Sequence, residues 1–267
     1  MLYFNKNIIT GDTGDILMNP FFSIIIPLYN CERTIALTLE SIMNQTCEDY
    51  EVIIINDCSD DNTMNIVNKY ITRFSYITII QNESNIGVAT SRNKGFSIAK
   101  GKYVALLDGD DIWHSDKLEK QKQIVEKTNC DICCTSYSFI DENSNTIKKP
   151  YIVPKLIDYK MMLKQNYIGC SAAVIKADLL LYSSMDENYQ HEDYALWLKL
   201  LREGATIECI SEPLMKYRIL KSSRSFSKTK AAKGRMIIYL KQEGLGLIKS
   251  VYYFLCYAFN GIKKKLL

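Results

Sequence analysis

The sequence predicts an α/β protein built on a mainly parallel sheet flanked by helices. Two observations carry this reading. Short, continuously apolar runs recur through the first half of the chain, and stretches with apolar residues at helical spacing separate them. Strands buried on both faces read as such runs, and parallel neighbours need a crossover of a dozen residues or more, usually a helix.

The elements follow in order. Residues 1–20 show no clear periodicity and are expected to be an irregular lead-in. Residues 21–27 are apolar up to Pro27 and form a first buried strand, ended by the proline. Over 31–44, Ile35, Leu39, Ile42 and Met43 fall at helical spacing. Residues 51–56 are a second strand, 61–73 a second helix, 76–80 a third strand, 88–99 a helix and 102–107 a fourth strand. A helix over 116–127 follows, with Ser115 or Asp116 as its cap. After residue 130 the order loosens. A strand is expected over 131–140, a polar turn over 141–149, a helix over 158–165 and a strand over 172–175. A helix over 193–202 and a last short strand over 206–210 complete this half.

The chain has 267 residues, enough for one large domain or a domain with an appendage, and its 47% hydrophobic and 24% charged residues are those of a folded protein. The net charge of +3 hides a polarity: residues 1–215 carry 20 Lys/Arg against 29 Asp/Glu, whereas 216–267 carry 13 against Glu243 alone. Such a tail either meets something anionic or packs on the acidic body. Residues 231–263 read as one or two helices, and the uncharged run 250–262 falls short of the ~20 residues that span a bilayer. With its aromatic residues and the Lys263, Lys264, Lys265 end, it reads as a helix lying on a membrane surface. A helix capping the domain and a dimer contact are the competing readings. No nucleic-acid module is recognisable. The first 20 residues lack a basic start followed by an apolar run, so no signal peptide is expected, and a cytoplasmic, reducing compartment fits the odd cysteine count of nine. Cys130, Cys133 and Cys134 lie in an apolar stretch without a second ligand pair, so core thiols are expected rather than zinc.

Ligands of open parallel sheets bind beyond the carboxyl ends of the strands. Three loops should therefore open onto one crevice: Pro27 to Asn30 followed by Glu32, Asn56 to Asp61, and Asp108, Gly109, Asp110, Asp111. Two carboxylates separated by one residue can serve a divalent cation, and oxygen ligands suit Mg²⁺ or Mn²⁺ together with substrate phosphates. Alone, such a loop could equally be a solvated acidic turn.

These motifs resemble the family 2 inverting glycosyltransferases of the GT-A fold, above all those of bacterial surface polysaccharides. The resemblance runs from Phe22 to about Tyr217 and rests on SIIIPLYN at 23–30, VIIIND at 52–57, NIGVATSRN at 85–93, LDGDD at 107–111 and ED at 192–193. It implies a Rossmann-like sheet with a nucleotide-sugar half at 21–130, an acceptor half at 131–220, and a basic lid and amphipathic helical tail at 221–267. It further implies that Asp57 accepts from the base, that Pro27, Tyr29 and Glu32 line the nucleoside pocket, and that Arg92 meets the base or diphosphate. Asp108 would sit near ribose and metal, Asp110 would bind Mn²⁺ or Mg²⁺, and Asp193 would be the catalytic base. Without the other motifs, Glu192 and Asp193 could simply favour a helix N-terminus. His191 either orients the acceptor or lies on the surface, and Trp197 either packs in the core or stacks on sugar. Glu192, Arg218 and Lys221 are candidates for the acceptor side or lid; for the segment from Lys221 a solvated loop is the competing reading. Many relatives carry a metal-binding His three residues after a Tyr-Arg pair; here Leu220 stands there.

The resemblance implies a UDP-sugar donor and a lipid-linked saccharide acceptor in O-antigen, capsule or exopolysaccharide synthesis, a site on the inner face of the cell membrane, and room for a homodimer. A sugar nucleotidyltransferase is the alternative enzyme, although such enzymes carry a Gly-rich basic loop where this chain has Pro27 to Asn30. A non-catalytic, membrane-associated nucleotide-sugar-binding protein is the third reading.

Overall fold

The computed structural model describes residues 3–7, 19–220 and 228–266. In chain order the first half comprises β1 (Tyr3–Asn7), β2 (Phe22–Leu28), α1 (Ile35–Met43), β3 (Tyr50–Asn56), α2 (Thr63–Tyr70), β4 (Tyr76–Gln81), α3 (Val88–Ile98), β5 (Tyr103–Leu106), β6 (Ile112–Trp113) and α4 (Lys117–Thr128). The second half comprises β7 (Ile132–Ile140), β8 (Thr146–Tyr151), α5 (Tyr159–Lys164), β9 (Ala173–Lys176), α6 (Ala177–Leu180), α7 (Glu192–Arg202) and β10 (Ile207–Arg218). Helix α8 (Lys228–Ile237), a π-helical turn (Ile238–Gln242) and α9 (Gly246–Leu266) end the chain.

One sheet runs in the order β1-β4-β3-β2-β5-β9-β7-β10-β6, with β8 attached to β7. It is mixed. Strands β4, β3, β2 and β5 are parallel, as their helical crossovers require, and β10 lies parallel to β7. Strand β9 joins β5 to β7 antiparallel to both. Alternate residues of β2 and β3 face opposite cores. Ile25, Ile53 and Ile55 meet α3, α5 and α7, while Ile24, Ile26, Val52 and Ile54 meet α1, α2 and α4. Helix α3 lies tight on β2, because a Cβ on Gly95 would fall 2.6 Å from Ile25 Cγ2.

Four expectations are corrected. The lead-in is not wholly irregular: residues 3–7 pair antiparallel with β4, covering a sheet edge that would otherwise offer unpaired backbone groups. Strand β2 runs through Pro27 to Leu28. Ile25 accepts from Leu107 on the β5 side, so by alternation Pro27 also faces that side, where β5 has already ended, and its missing N–H interrupts no ladder. The expected polar turn at 141–149 is only half turn, since Thr146–Tyr151 returns along β7 as a hairpin strand. The last strand is not short: β10 continues past Ile210 to Arg218, with irregular register at Pro213 where the apolar pattern breaks.

Candidate active site

The loops after β2, β3 and β5 interlock at the carboxyl ends of their strands. The Asp57 amide donates to Leu28 O at 2.7 Å. Asn30 Nδ2 donates to Asp60 Oδ1 at 2.7 Å, and the Asp60 amide donates back to Asn30 Oδ1 at 3.0 Å. Helix α1 grips the acidic loop from below: Thr34 Oγ1 donates to Gly109 O at 2.8 Å, and Thr38 Oγ1 lies 3.1 Å from Gly109 O and 2.9 Å from Asp111 O. Gly109 has no room for a side chain, since a Cβ there would fall 2.5 Å from Leu28 Cδ2.

The three carboxylates of this loop have separate environments. Asp111 is buried and accepts from the Arg218 amide at 2.9 Å; burial, and then the charge of Asp110, push its pKa well up. It is a structural residue. Asp110 is partly exposed, and burial together with the charge of Asp108 raises it to about 6. Asp108 pairs with Arg92, and its amide donates to Ser171 Oγ at 3.0 Å.

Asp108 and Asp110 fit a divalent cation on their own chemistry. They are all-oxygen donors, and the charge of Asp108 adds to burial in raising Asp110, an effect that a cation would relieve. Among the described residues no third His, Cys, Asp or Glu joins them in a metal-holding group.

The start of α7 meets this loop through one side chain. Arg92, on α3, is 3% exposed. Its Nη2 pairs with Asp108, and its Nη1 lies 2.9 Å from Glu192 Oε1 at the start of α7. Burial works against the guanidinium charge, but Asp108, Cys170 and Glu192 outweigh it and hold the proton. Next to Glu192, burial and the Glu192 charge raise Asp193 to about 6, with Arg92 pulling the other way. Asp193 thus stands within electrostatic reach of both Arg92 and Asp108. A base poised near its working pH is what proton abstraction from a hydroxyl needs.

Several expected residues stand elsewhere than the resemblance implies. Arg92 is held between Asp108 and Glu192, since a buried guanidinium needs anions around it and these two carboxylates supply them. Glu192, equally buried, is its partner and not a surface acceptor residue. Glu32 Oε2 accepts from the Asn62 amide at 3.0 Å, which ties it to the entry of α2. Arg218 is no lid residue. It is 2% exposed and brackets the acidic loop to the β7–β8 turn, with Nε donating to Asp110 O at 2.8 Å and Nη1 to Asp141 O at 2.8 Å. His191 is the N-cap residue of α7 and neighbours Gly234 of α8. Trp197 is fully buried in the core. Lys221 and the following basic segment lie outside the described residues.

Asp57, Pro27 and Tyr29 lie at the carboxyl ends of β2 and β3. Tyr29 is half exposed, and Pro27 is buried in β2. Asp57 Oδ1 accepts from Asn82 Nδ2 and the Ile86 amide, both at 2.9 Å, and Oδ2 from the Gly87 amide at 2.8 Å. A carboxylate has about four acceptor positions, so one remains. Lys94 Nζ, 2.7 Å from Asn82 Oδ1, completes this network. Asn82 and Lys94 escape the sequence reading, whereas Gly169, Cys170 and Ser171 read as a segment near the sugar; Thr34 and Thr38, four apart, are the one further signal open to it.

A Rossmann-like sheet that sets a D-x-D loop across from a carboxylate at a helix start is the arrangement of a nucleotide-sugar glycosyltransferase, and this enzyme belongs to that class. Residues 23–180 match Glycosyl transferase family 2, and the chain is a member of that family. It is 36% identical to the glycosyltransferase TuaG of Bacillus subtilis (strain 168), with 92% of this chain and 98% of that protein covered. It is 35% identical to WfgD of Escherichia coli, a UDP-Glc:alpha-D-GlcNAc-diphosphoundecaprenol beta-1,3-glucosyltransferase, over 91% of this chain and 94% of that one. In fold it is similar to S. aureus TarS 1-349 in complex with UDP-GlcNAc, with a TM-score of 0.67 at 20% identity, covering 82% of this chain and 66%, just under two thirds, of that one. It is also similar to the Pyrobaculum calidifontis mannosyltransferase PcManGT in complex with GDP-Man and Mn²⁺, with a TM-score of 0.66 at 16% identity over 85% of this chain and 65% of that one.

Proposed function

We propose that this enzyme moves a hexose, glucose first among the candidates, from a UDP-sugar to a hydroxyl of a lipid-linked saccharide with inversion at the anomeric carbon. The donor and acceptor classes rest on WfgD and on a second Escherichia coli relative of the same printed activity, WfaP, which is 34% identical. The observation that carries the reading is the Arg92 bridge, which ties the acidic loop to the helix start bearing Asp193.

In this reading Asp57 uses its remaining acceptor position for the base, and Tyr29 forms the rim of that pocket. Asp193 removes the proton from the acceptor hydroxyl. The resulting oxygen bonds to the anomeric carbon from the face opposite the nucleotide, the bond from that carbon to the diphosphate oxygen breaks, and UDP leaves with the electron pair. Asp110 and Asp108 would hold Mn²⁺ or Mg²⁺, which when bound neutralises charge on the departing diphosphate. Arg92 touches neither sugar nor acceptor; it fixes Asp108 and Glu192 relative to each other. The site would work on the inner membrane face, where lipid-linked saccharides present their hydroxyls to cytoplasmic donors.

The test is a donor panel of UDP-glucose, UDP-galactose and UDP-GlcNAc with a GlcNAc-diphospholipid acceptor and Mn²⁺ or Mg²⁺. Released UDP and a product heavier by one sugar are expected. Failure of every UDP-sugar to elongate such an acceptor would overturn the reading.

A further inference from the structure

Helix α9 is apolar on two faces. Its inner face packs on the protein: Ser250 is fully buried, and Tyr253 and Phe254 lie against the core. Its outer face leaves Ile248 87%, Tyr252 54%, Leu255 61% and Phe259 68% exposed. At 100° per residue these four fall within a stripe about 60° wide. A helix that is apolar all round is covered by protein or by lipid. No charged residue occurs from Ser250 to Ile262, while Lys249 precedes the run and Lys263, Lys264 and Lys265 follow it. Among the described residues no helix is long and apolar enough to cross a membrane.

We propose that this outer face of α9 is a docking surface for an anionic lipid bilayer, held in fixed relation to the catalytic base by Arg235. The proposal rests on the transferase reading only for why a bilayer matters to the site. Charge selects the occupant. The charged residues of α9 are Lys249, Lys263, Lys264 and Lys265, with no acid among them, so a second copy of this face would bring like charge against like, whereas anionic headgroups complement lysines at both ends of the stripe. An apolar stripe between basic ends matches the boundary between acyl chains and headgroups, and Tyr252 has the amphipathic ring that sits there.

Arg235 makes the surface part of the catalytic body. It is 5% exposed, and its guanidinium carbon lies 4.0 Å from the ring centroid of Tyr194 on α7 and 4.0 Å from that of Tyr257 on α9. Tyr194 immediately follows Asp193, and its hydroxyl donates to Met162 O at 2.8 Å. Behind the clamp, Gln242 Nε2 donates to Ala195 O at 2.8 Å, and Arg202 pairs with Glu243 at 2.8 Å. A bilayer bound to α9 therefore meets α7 at a set angle, and an acceptor held in that bilayer arrives at Asp193 from a defined side.

The full-length enzyme is sedimented with vesicles of phosphatidylcholine and phosphatidylglycerol, and with vesicles of phosphatidylcholine alone. Wild type should bind the anionic vesicles and lose binding as salt rises. The double variant Ile248→Glu/Phe259→Glu should partition about 100-fold more weakly, since two apolar side chains no longer enter the interface. Its transfer to a short-chain, water-soluble acceptor should equal that of wild type, which also shows that it folds. Wild type remaining in the supernatant, or the variant binding like wild type, would overturn the proposal. So would a wild-type dimer that the variant converts to monomer in light scattering, because the face would then belong to a second copy. Absence of transfer to the soluble acceptor by wild type is a separate outcome that strikes the transferase reading instead.

Discussion

Arg92 and Glu192, one hundred residues apart in sequence, meet as a buried ion pair with Nη1 2.9 Å from Oε1, while the other terminal nitrogen of the same guanidinium pairs with Asp108. Two nitrogens reach two carboxylates on opposite sides of the crevice. The relative position of the acidic loop and the start of α7 is thereby set by one planar group.

This geometry predicts that Arg92→Lys is not conservative. A single ammonium cannot span both acids in a fork, and one carboxylate is left buried without its partner. A kcat loss of about 100-fold or more is expected, since small misplacement of reacting groups costs that much. A loss of about 3 kcal/mol in denaturant unfolding should accompany it, because breaking a buried pair exposes the desolvation cost of the survivor.

The pH dependence follows from the two carboxyl groups raised to about 6. Both Asp193 as base and Asp110 as ligand act deprotonated, so kcat/KM should fall as pH drops through 6, steepening toward a hundredfold per unit when both protonate. Asp193→Glu should move the acid limb, and a profile flat from pH 7 to 5 would contradict both assignments.

The same shift has a sign for stability. The folded state holds the Asp193 proton up to about pH 6, whereas the unfolded chain releases it near 3.8, the ordinary value for an aspartate. The folded state therefore binds more protons between those values, and stability decreases as pH rises through that window. At pH 7 the charged, desolvated carboxylate costs on the order of 1–3 kcal/mol. Asp193→Asn should thus be inactive yet at least as stable as wild type at pH 7, with any gain vanishing below pH 4 in thermal unfolding.

Gly109→Ala tests the grip on the acidic loop. Its Cβ would meet Leu28 Cδ2 at 2.5 Å and Cys31 Sγ at 3.1 Å, and Leu28 is itself buried. Overpacking of this kind costs about 1–3 kcal/mol. Because Gly109 itself lies between Asp108 and Asp110, metal-dependent UDP binding should weaken more than the fold does, as calorimetry with UDP and Mn²⁺ would show.

The first half was legible because each of its central strands is buried on both faces and reads as an apolar run bounded by a helix. The second half lacks that signal. Strand β8 is exposed along most of its length, and although Lys148 and Tyr151 contact Phe139 and Tyr137 of β7, it carries no apolar alternation to read. Strand β10 hides its continuation behind Ser211, Glu212 and Pro213. The motifs located Asp108, Asp110 and Asp193 by resemblance, but not the partners of Arg92 or Arg218. Those pairings join residues 16 to 108 apart, and a guanidinium in a sequence looks the same whether it faces a ligand or two carboxylates. The tail was read as basic and amphipathic; only its packing shows that one apolar face is already used.

The central claim is a division of labour, with Asp110 on the donor side and Asp193 on the acceptor side. The most direct measurement compares Asp110→Ala and Asp193→Asn for both sugar transfer and Mn²⁺-dependent UDP affinity. Both variants should lose transfer, Asp110→Ala should also lose UDP affinity in the presence of Mn²⁺, and Asp193→Asn should keep it. Asp193→Asn retaining full transfer, or Asp110→Ala binding UDP and Mn²⁺ as wild type does, would contradict the account.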